Sequence, residues 1–132
     1  MEAPYIRFDM LFDGKPQDVG FLVGLIDTGI DFELEEELTE PFHNRLPIPS
    51  YKPWEKQPSG YFSGAFFTKA GYERFEEHID NILDAVKELD NGWEVRVIES
   101  DGFPEDDIFY RDEFQVIVKM ATDATTKTLI GV

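Results

Sequence analysis

Apolar and polar residues alternate from Tyr5 to Phe12. Ile6, Phe8, Met10 and Phe12 fall on one side and Arg7 and Asp9 on the other, which is the period of a half-buried strand with a solvated outer face. Asp13-Gly14-Lys15-Pro16 then predicts a turn, with Pro16 suited to the first turn of a helix. Between Gln17 and Thr28 the apolar residues Val19, Leu22, Val23 and Ile26 share a helical face, and Gly29 supplies a C-terminal stop. Gly20 and Gly24 work against that helix, each costing about 1 kcal/mol relative to Ala. Ile30, Phe32 and Leu34 alternate with Asp31, Glu33 and Glu35, which predicts a second strand from Ile30 to Leu38 with a wholly acidic outer face.

Five prolines between Thr39 and Gly60 (Pro41, Pro47, Pro49, Pro53 and Pro58) predict a long irregular loop at about 39–60, with Tyr51 and Trp54 available to anchor it. An aromatic third strand follows, from Tyr61 to Phe67. The strongest helical pattern comes next, with Thr68 as N-cap and Tyr72, Phe75, Ile79, Ile82, Val86 and Leu89 recurring every three or four residues until Asn91-Gly92. Trp93 to Ser100 predicts a fourth strand, Asp101 to Asp107 an acidic turn, and Phe114 to Met120 a fifth strand. The Thr-rich tail from Ala121 is either a short extra strand or frayed.

The order strand, helix, strand, strand, helix, strand, strand implies an α+β fold. Its first six elements match the split β-α-β pattern of a ferredoxin-like sandwich, an antiparallel sheet with two helices on one face, here with an additional C-terminal strand. Residues 1–132 read as a single domain without internal repeats. That architecture hosts enzymes, binders and regulators alike, so function has to come from the residues.

Composition narrows the field. Apolar residues make up 42% of the chain and aromatics 14%, ample for a core and too much for intrinsic disorder. Cysteine is absent, which removes disulfides, zinc–thiolate sites and thiol nucleophiles. The N-terminus Met1-Glu2-Ala3-Pro4-Tyr5 has no basic or apolar signal region, and the longest apolar run, Phe21 to Ile26, is too short to span a bilayer. The expectation is a cytoplasmic protein, in the host cytoplasm if phage-encoded. With 28 Asp and Glu against 12 Lys and Arg the formal charge is −16. A field of that sign repels nucleic acid and anionic membrane and steers basic partners inward.

Motifs for catalysis are sparse. Asp27-Thr28-Gly29, led in by Leu22-Val23-Gly24-Leu25-Ile26, resembles the active-site turn of retropepsin-type aspartic proteases, and Leu129-Ile130-Gly131 is similar to the Ile-Ile-Gly near their end. The resemblance implies a dimer in which two Asp27 carboxylates share a proton. The Pro-rich region and the long helix depart from that family, and a structural role is open too, with Asp27 and Thr28 closing a helix that Gly29 caps. His43 and His78 share no ligand spacing. Asp101, Glu105, Asp106 and Asp107 surround Gly102 without the spacing of an EF-hand, so no metal and no cofactor is expected.

Acidity, by contrast, is concentrated in three stretches. Asp31 to Glu40 holds six carboxylates without a base. On the long helix Glu73, Glu77, Asp80 and Asp84 form a stripe with neighbours about 5–6 Å apart, a pitch approaching that of phosphates along a nucleic-acid strand. Glu99 to Glu113 is the third stretch, with Phe103, Phe109 and Tyr110 inside it. The leading expectation is an acidic inhibitor that neutralises a basic, nucleic-acid-binding partner, as phage anti-defence proteins, toxin-immunity proteins and DNA mimics do. Its binding surface would draw on Glu73, Glu77, Asp80, Asp84, Glu33, Glu35, Asp106, Asp107 and Tyr110. It would touch neither nucleic acid nor membrane directly, as a monomer or small homo-oligomer. Two other classes remain open: a dimeric aspartic protease using Asp27, and an accessory interaction domain whose acidity serves solubility.

Overall fold

A computed structural model describes residues 3–43, 46 and 60–121. Strand β1 (Tyr5–Phe12) is the hub of an antiparallel sheet. It turns through Asp13 (φ 53°) and Gly14 (φ 78°) into β2 (Lys15–Gly20), with Phe12 opposite Lys15. Positive φ at both central residues is the conformation of a two-residue type I′ hairpin, which Asp-Gly favours. The turn is fixed from outside by the Asp13 amide, which donates to the Gly92 carbonyl at 2.8 Å.

This corrects the expected helix from Gln17 to Thr28. Pro16 is a strand residue opposite Leu11, and it is tolerated because among the described residues β2 pairs only with β1. Helix begins only at Phe21, as a single α-turn α1 (Phe21–Gly24) followed by a 3-10 turn over Leu25–Thr28. Gly24 lies against the Met10 and Val19 side chains, where a Cβ would collide, so packing demands the glycine that helix propensity disfavours.

The segment expected as an acidic strand from Ile30 to Leu38 is also helical. Helix α2 spans Phe32–His43. Asp31 caps it, its Oδ2 accepting from the Leu34 amide at 3.3 Å and its carbonyl from the Glu35 amide at 2.9 Å. Glu33 and Glu35 in the first turn complement the helix dipole. Thr39 and Phe42 turn inward, and Pro41 sits in the last turn, so the helix continues into the start of the expected Pro-rich loop. The rest of that loop, including Tyr51 and Trp54, lies outside the described residues, as does the tail beyond Ala121.

Strand β3 (Tyr61–Thr68), helix α3 (Lys69–Leu89) and strand β4 (Trp93–Ser100) follow their predicted bounds closely. Thr68 Oγ1 accepts from the Gly71 amide at 3.0 Å, the N-cap the sequence announces. The end differs slightly, since Asp90 rather than Asn91 takes the left-handed position (φ 46°), with Gly92 also at positive φ. After a 3-10 turn at Glu105–Asp107, within the expected acidic turn, comes β5 (Ile108–Arg111), a strand not expected from sequence, and then β6 (Gln115–Ala121).

Across the sheet the order is β4-β1-β3-β6-β5, every pairing antiparallel. Strands β3 and β4 therefore run parallel to each other on either side of β1, joined by α3. Helices α2 and α3 pack on one face, where Ile6, Phe8 and Met10 of β1 meet Phe21, Phe42, Phe67, Phe75, Ile79 and Ile82. On the other face Phe66, Val116 and Val118 form a smaller cluster, covered by Phe103 against Tyr5 and Phe66.

Along one edge β1 is shared between two strands: β3 pairs with Tyr5 and Ile6, and β2 pairs with Asp9 to Phe12. Arg7 stands at the fork. Its Nη1 donates to the Ala65 carbonyl of β3 at 3.3 Å and its Nη2 to Asp9 Oδ1 at 3.1 Å. Arg96 of β4 donates to the other oxygen, Asp9 Oδ2, at 2.8 Å. Arg7 is 4% exposed and Asp9 2% exposed, so the face of β1 that the alternation assigns to solvent is buried as well. Burial pushes the Arg7 guanidinium below its ordinary value, and the Asp9 carboxylate opposes that shift.

Three variants check this packing. Gly71 faces the backbone of Phe114, which cannot move aside, so Gly71→Ala is expected to lose about 2 kcal/mol or more in urea unfolding. Gly102→Ala, with open space around it, is expected to stay within about 0.5 kcal/mol. Asp9→Asn removes the carboxylate that the Arg7 and Arg96 guanidinium groups share and is expected to cost about 3–5 kcal/mol, and a loss below about 1 kcal/mol would show that the cluster is not structural.

Candidate functional site

The helical layer carries the largest concentration of exposed charge. Because α2 is a helix and not a strand, its carboxylates leave the sheet and join those of α3. The two helices touch through Phe42, stacked on Phe75 at 5.1 Å between ring centroids and edge-on to His78 at 6.2 Å. Once Leu38, Thr39 and Phe42 turn inward, Glu33, Glu36, Glu37 and Glu40 are left exposed on α2. The apolar seam Phe75, Ile79, Ile82 and Val86 does the same for α3, exposing Glu73, Glu76, Glu77, Asp80, Asp84 and Glu88.

Ten exposed carboxylates thus stand on this layer against three exposed bases, Lys69, Arg74 and Lys87. Arg74 lies over the Phe114 ring, 5.8 Å from its centroid. Among the described residues none of Glu73, Glu77, Asp80 and Asp84 has an ion-pair partner. Like charges one turn apart destabilise a helix by a few tenths of a kcal/mol per pair, so burial of the seam has to outweigh the stripe.

Of the residues singled out from sequence, Glu73, Glu77, Asp80, Asp84 and Glu33 come together on this layer. Glu35 belongs to the same helix but is half-buried. Asp106, Asp107 and Tyr110 do not join them, since they lie at β5, the far edge of the sheet. There Asp107 pairs with Lys119 at 3.6 Å and Glu105 with Arg111 at 3.0 Å, while Glu99, Asp101, Asp106 and Glu113 stay exposed. Asp112 Oδ1 accepts from the amides of Phe114 and Gln115 at 2.8 and 2.9 Å, and Asp112 Oδ2 accepts from the Tyr110 hydroxyl at 2.6 Å. The third acidic stretch is thus a turn held by its own side chains.

Asp27 is exposed on the 3-10 turn. Thr28 Oγ1 donates to the Leu25 carbonyl at 2.6 Å, and Gly29 takes the left-handed cap at φ 83°. Asn91 Nδ2 donates to the Thr28 carbonyl at 2.8 Å, tying the turn to the end of α3. The tripeptide here terminates a helical turn. Among the described residues no group of three or more His, Asp or Glu side chains is placed to hold a metal ion, and no helix is long and apolar enough to cross a membrane.

Comparison with protein-family models, with curated proteins and with solved structures finds no match.

Sequence reasoning recognised the α3 stripe but missed its neighbour. The signal for α2 was present in Leu38, Thr39 and Phe42 at helical spacing behind an Asp cap, and the shorter alternation from Ile30 to Leu34 obscured it.

The Tyr110–Asp112 hydrogen bond gives a direct check on β5. That bond, with partial burial and the Asp112 charge, pushes the Tyr110 hydroxyl from 10.0 up to about 12. The folded state holds this proton more tightly than the unfolded chain, so the contribution is complete below pH 10 and is lost as pH rises through about 12. Burial and Glu76 also push the Tyr72 hydroxyl up, so ultraviolet titration of tyrosinate is expected to show late ionisation of both, and Asp112→Asn returns only Tyr110 toward 10.

Proposed function

We propose that this chain is an acidic binding protein that occludes a basic, nucleic-acid-binding surface on a partner protein. The observation that carries the proposal is the pair of adjacent helices α2 and α3 with ten exposed carboxylates against three bases. Charge mounted on packed helices has a fixed spacing, so it presents a shaped negative surface and not merely a diffuse field. Free nucleic acid and anionic membrane are repelled by a chain of charge −16, which leaves a cationic protein surface as the complementary partner. The reading includes a cytoplasmic location and no turnover.

The proposal extends to the fold. The run β4-β1-β3, with β3-α3-β4 as a split β-α-β unit, supports a ferredoxin-like sandwich in which β6 takes the sheet position expected for a strand at 30–38. The hairpin strand β2 and the edge strand β5 are additions to that plan.

The test is affinity purification from the native host with two baits in parallel, the wild-type chain and the Glu73→Lys, Glu77→Lys, Asp80→Lys, Asp84→Lys variant. The wild type is expected to retain a basic partner at about 50 mM salt and to lose most of it by about 200 mM, since such contacts weaken steeply with ionic strength. The variant is expected to retain none. Equal recovery of the same partner by both baits would refute the role of the helical stripe.

A further inference from the structure

Among the described residues β2, β4 and β5 each pair with one strand alone, so each presents an edge. Such edges recruit further strands unless they are short, bulged, broken by proline or blunted by charge. β2 contains Pro16 and shifts register against β1, and β5 has only four residues and shifts register against β6. β4 differs. Its eight residues stay in unbroken register with β1, from Phe12 opposite Trp93 to Tyr5 opposite Ser100, and include neither proline nor lysine. Charge is its only safeguard.

The phase of the β1–β4 ladder fixes which backbone groups are left over. The Asp13 amide donates to the Gly92 carbonyl, one step beyond the Phe12–Trp93 pair, so the hydrogen-bonded pairs fall on Glu94, Arg96, Ile98 and Ser100. The amides and carbonyls of Trp93, Val95, Val97 and Glu99 therefore point away from β1. In keeping with this phase, the Trp93 amide donates to Asn91 Oδ1 at 3.4 Å. Among the described residues no strand pairs with this row.

Side chains decide what can join it. Val97, in the middle of the row, is 51% exposed. Glu94 and Glu99 lie on opposite faces of the strand, both exposed and without an ion-pair partner among the described residues. The strand's one base, Arg96, is engaged with Asp9. Side chains directly opposite each other on paired strands stand about 4.5–5.5 Å apart, where like charges are unfavourable. A second copy of this chain would bring its own charge of −16 up to the two glutamates. A segment carrying Lys or Arg gains at both positions and is drawn in by the field of the whole chain.

We infer that β4 accepts, by strand addition, an extended basic segment of another protein, with an apolar residue beside Val97 and basic residues beside Glu94 and Glu99. The backbone groups of Val95, Val97 and Glu99 supply affinity, and the two glutamates supply selectivity. This edge is separate from the acidic helical layer, and its test uses the chain alone with a defined peptide, so either reading can fail without the other.

The probes are two capped octapeptides, Thr-Lys-Val-Val-Thr-Val-Lys-Thr and the same sequence with Glu in place of Lys; their charges have the spacing of Glu94 and Glu99. Hydrogen exchange read by NMR on the chain alone is expected to show slow amides at Arg96 and Ile98 and fast ones at Val95, Val97 and Glu99. The Lys peptide is expected to slow those three and to bind about tenfold more tightly than the Glu peptide at about 50 mM salt. Glu94→Gln combined with Glu99→Gln, at two exposed positions, is expected to remove most of that preference. Val97→Pro deletes one outward N–H and leaves the donors to β1 in place, so it is expected to weaken the Lys peptide by about tenfold or more. If that variant does not fold, exchange in the wild type and the paired Gln variant decide the question. Slow exchange at Val95, Val97 and Glu99 in the chain alone overturns the inference: independent of concentration it means that the chain covers its own edge, and rising with concentration it means that a second copy does. Equal or tighter binding of the Glu peptide overturns it as well, as does a folded Val97→Pro variant that binds the Lys peptide like wild type.

Discussion

Three of the other five strands pair with β1 directly, and β1 is held where Arg7 and Arg96 share Asp9. The strand is flanked by β4 along its whole length on one edge and by two different strands on the other. Where β3 leaves and β2 has not yet begun, the ladder offers no regular partner, and the Arg7 guanidinium fills the gap by bonding to β3 through Ala65 and to its own strand through Asp9. Taking two cations and one anion out of water is favourable only when geometry is good. Here three guanidinium nitrogens of the two arginines have no hydrogen-bond partner among the described residues, so the cluster fixes the branching of the sheet more than it stabilises it. An apolar trio of similar size would fill the space without dictating which strand leaves and which begins.

The same cluster marks the limit of what alternation reveals. A strict two-residue period assigns Arg7 and Asp9 to water, because polarity is taken as a proxy for exposure. In this sheet both faces are covered, one by α2 and α3 and the other by the Phe66, Phe103 and Val116 cluster, and the charged pair is buried by compensation. β1, β3, α3, β4 and β6 were legible because their periods run long enough to be unambiguous and their caps agree. β2 was not, since Pro16 suits a helix start as well as a strand paired on one side, and only the partner strand decides. β5 was hidden because its residues Ile108 to Arg111 are few and half-buried, and its acidic flanks look like loop.

The most consequential misreading was also the most informative. A strand from Ile30 would have set its glutamates on one side of a sheet edge, spaced by two residues. As α2, the same residues lie beside α3, and two acidic elements become one surface. The three alternating apolar positions Ile30, Phe32 and Leu34 were outvoted by Leu38, Thr39 and Phe42, which turn inward with Phe42 stacked on Phe75. The charge pattern that appeared as three stretches in sequence resolves into one exposed helical layer and one turn in which Glu105, Asp107 and Asp112 are engaged locally.

The central place of β1 also bears on the order of assembly. The earliest described strand has registers reaching from its own hairpin to Thr68 and on to Ser100. As the chain emerges from the ribosome, the hairpin and the capped helix α3 can form from local contacts, whereas the sheet cannot close until β4 is available. Until then Ile6, Phe8 and Met10 lie next to an unpaired strand edge, the kind of surface that recruits chaperones or other chains. A dense surface charge of one sign keeps such half-made chains apart during that wait.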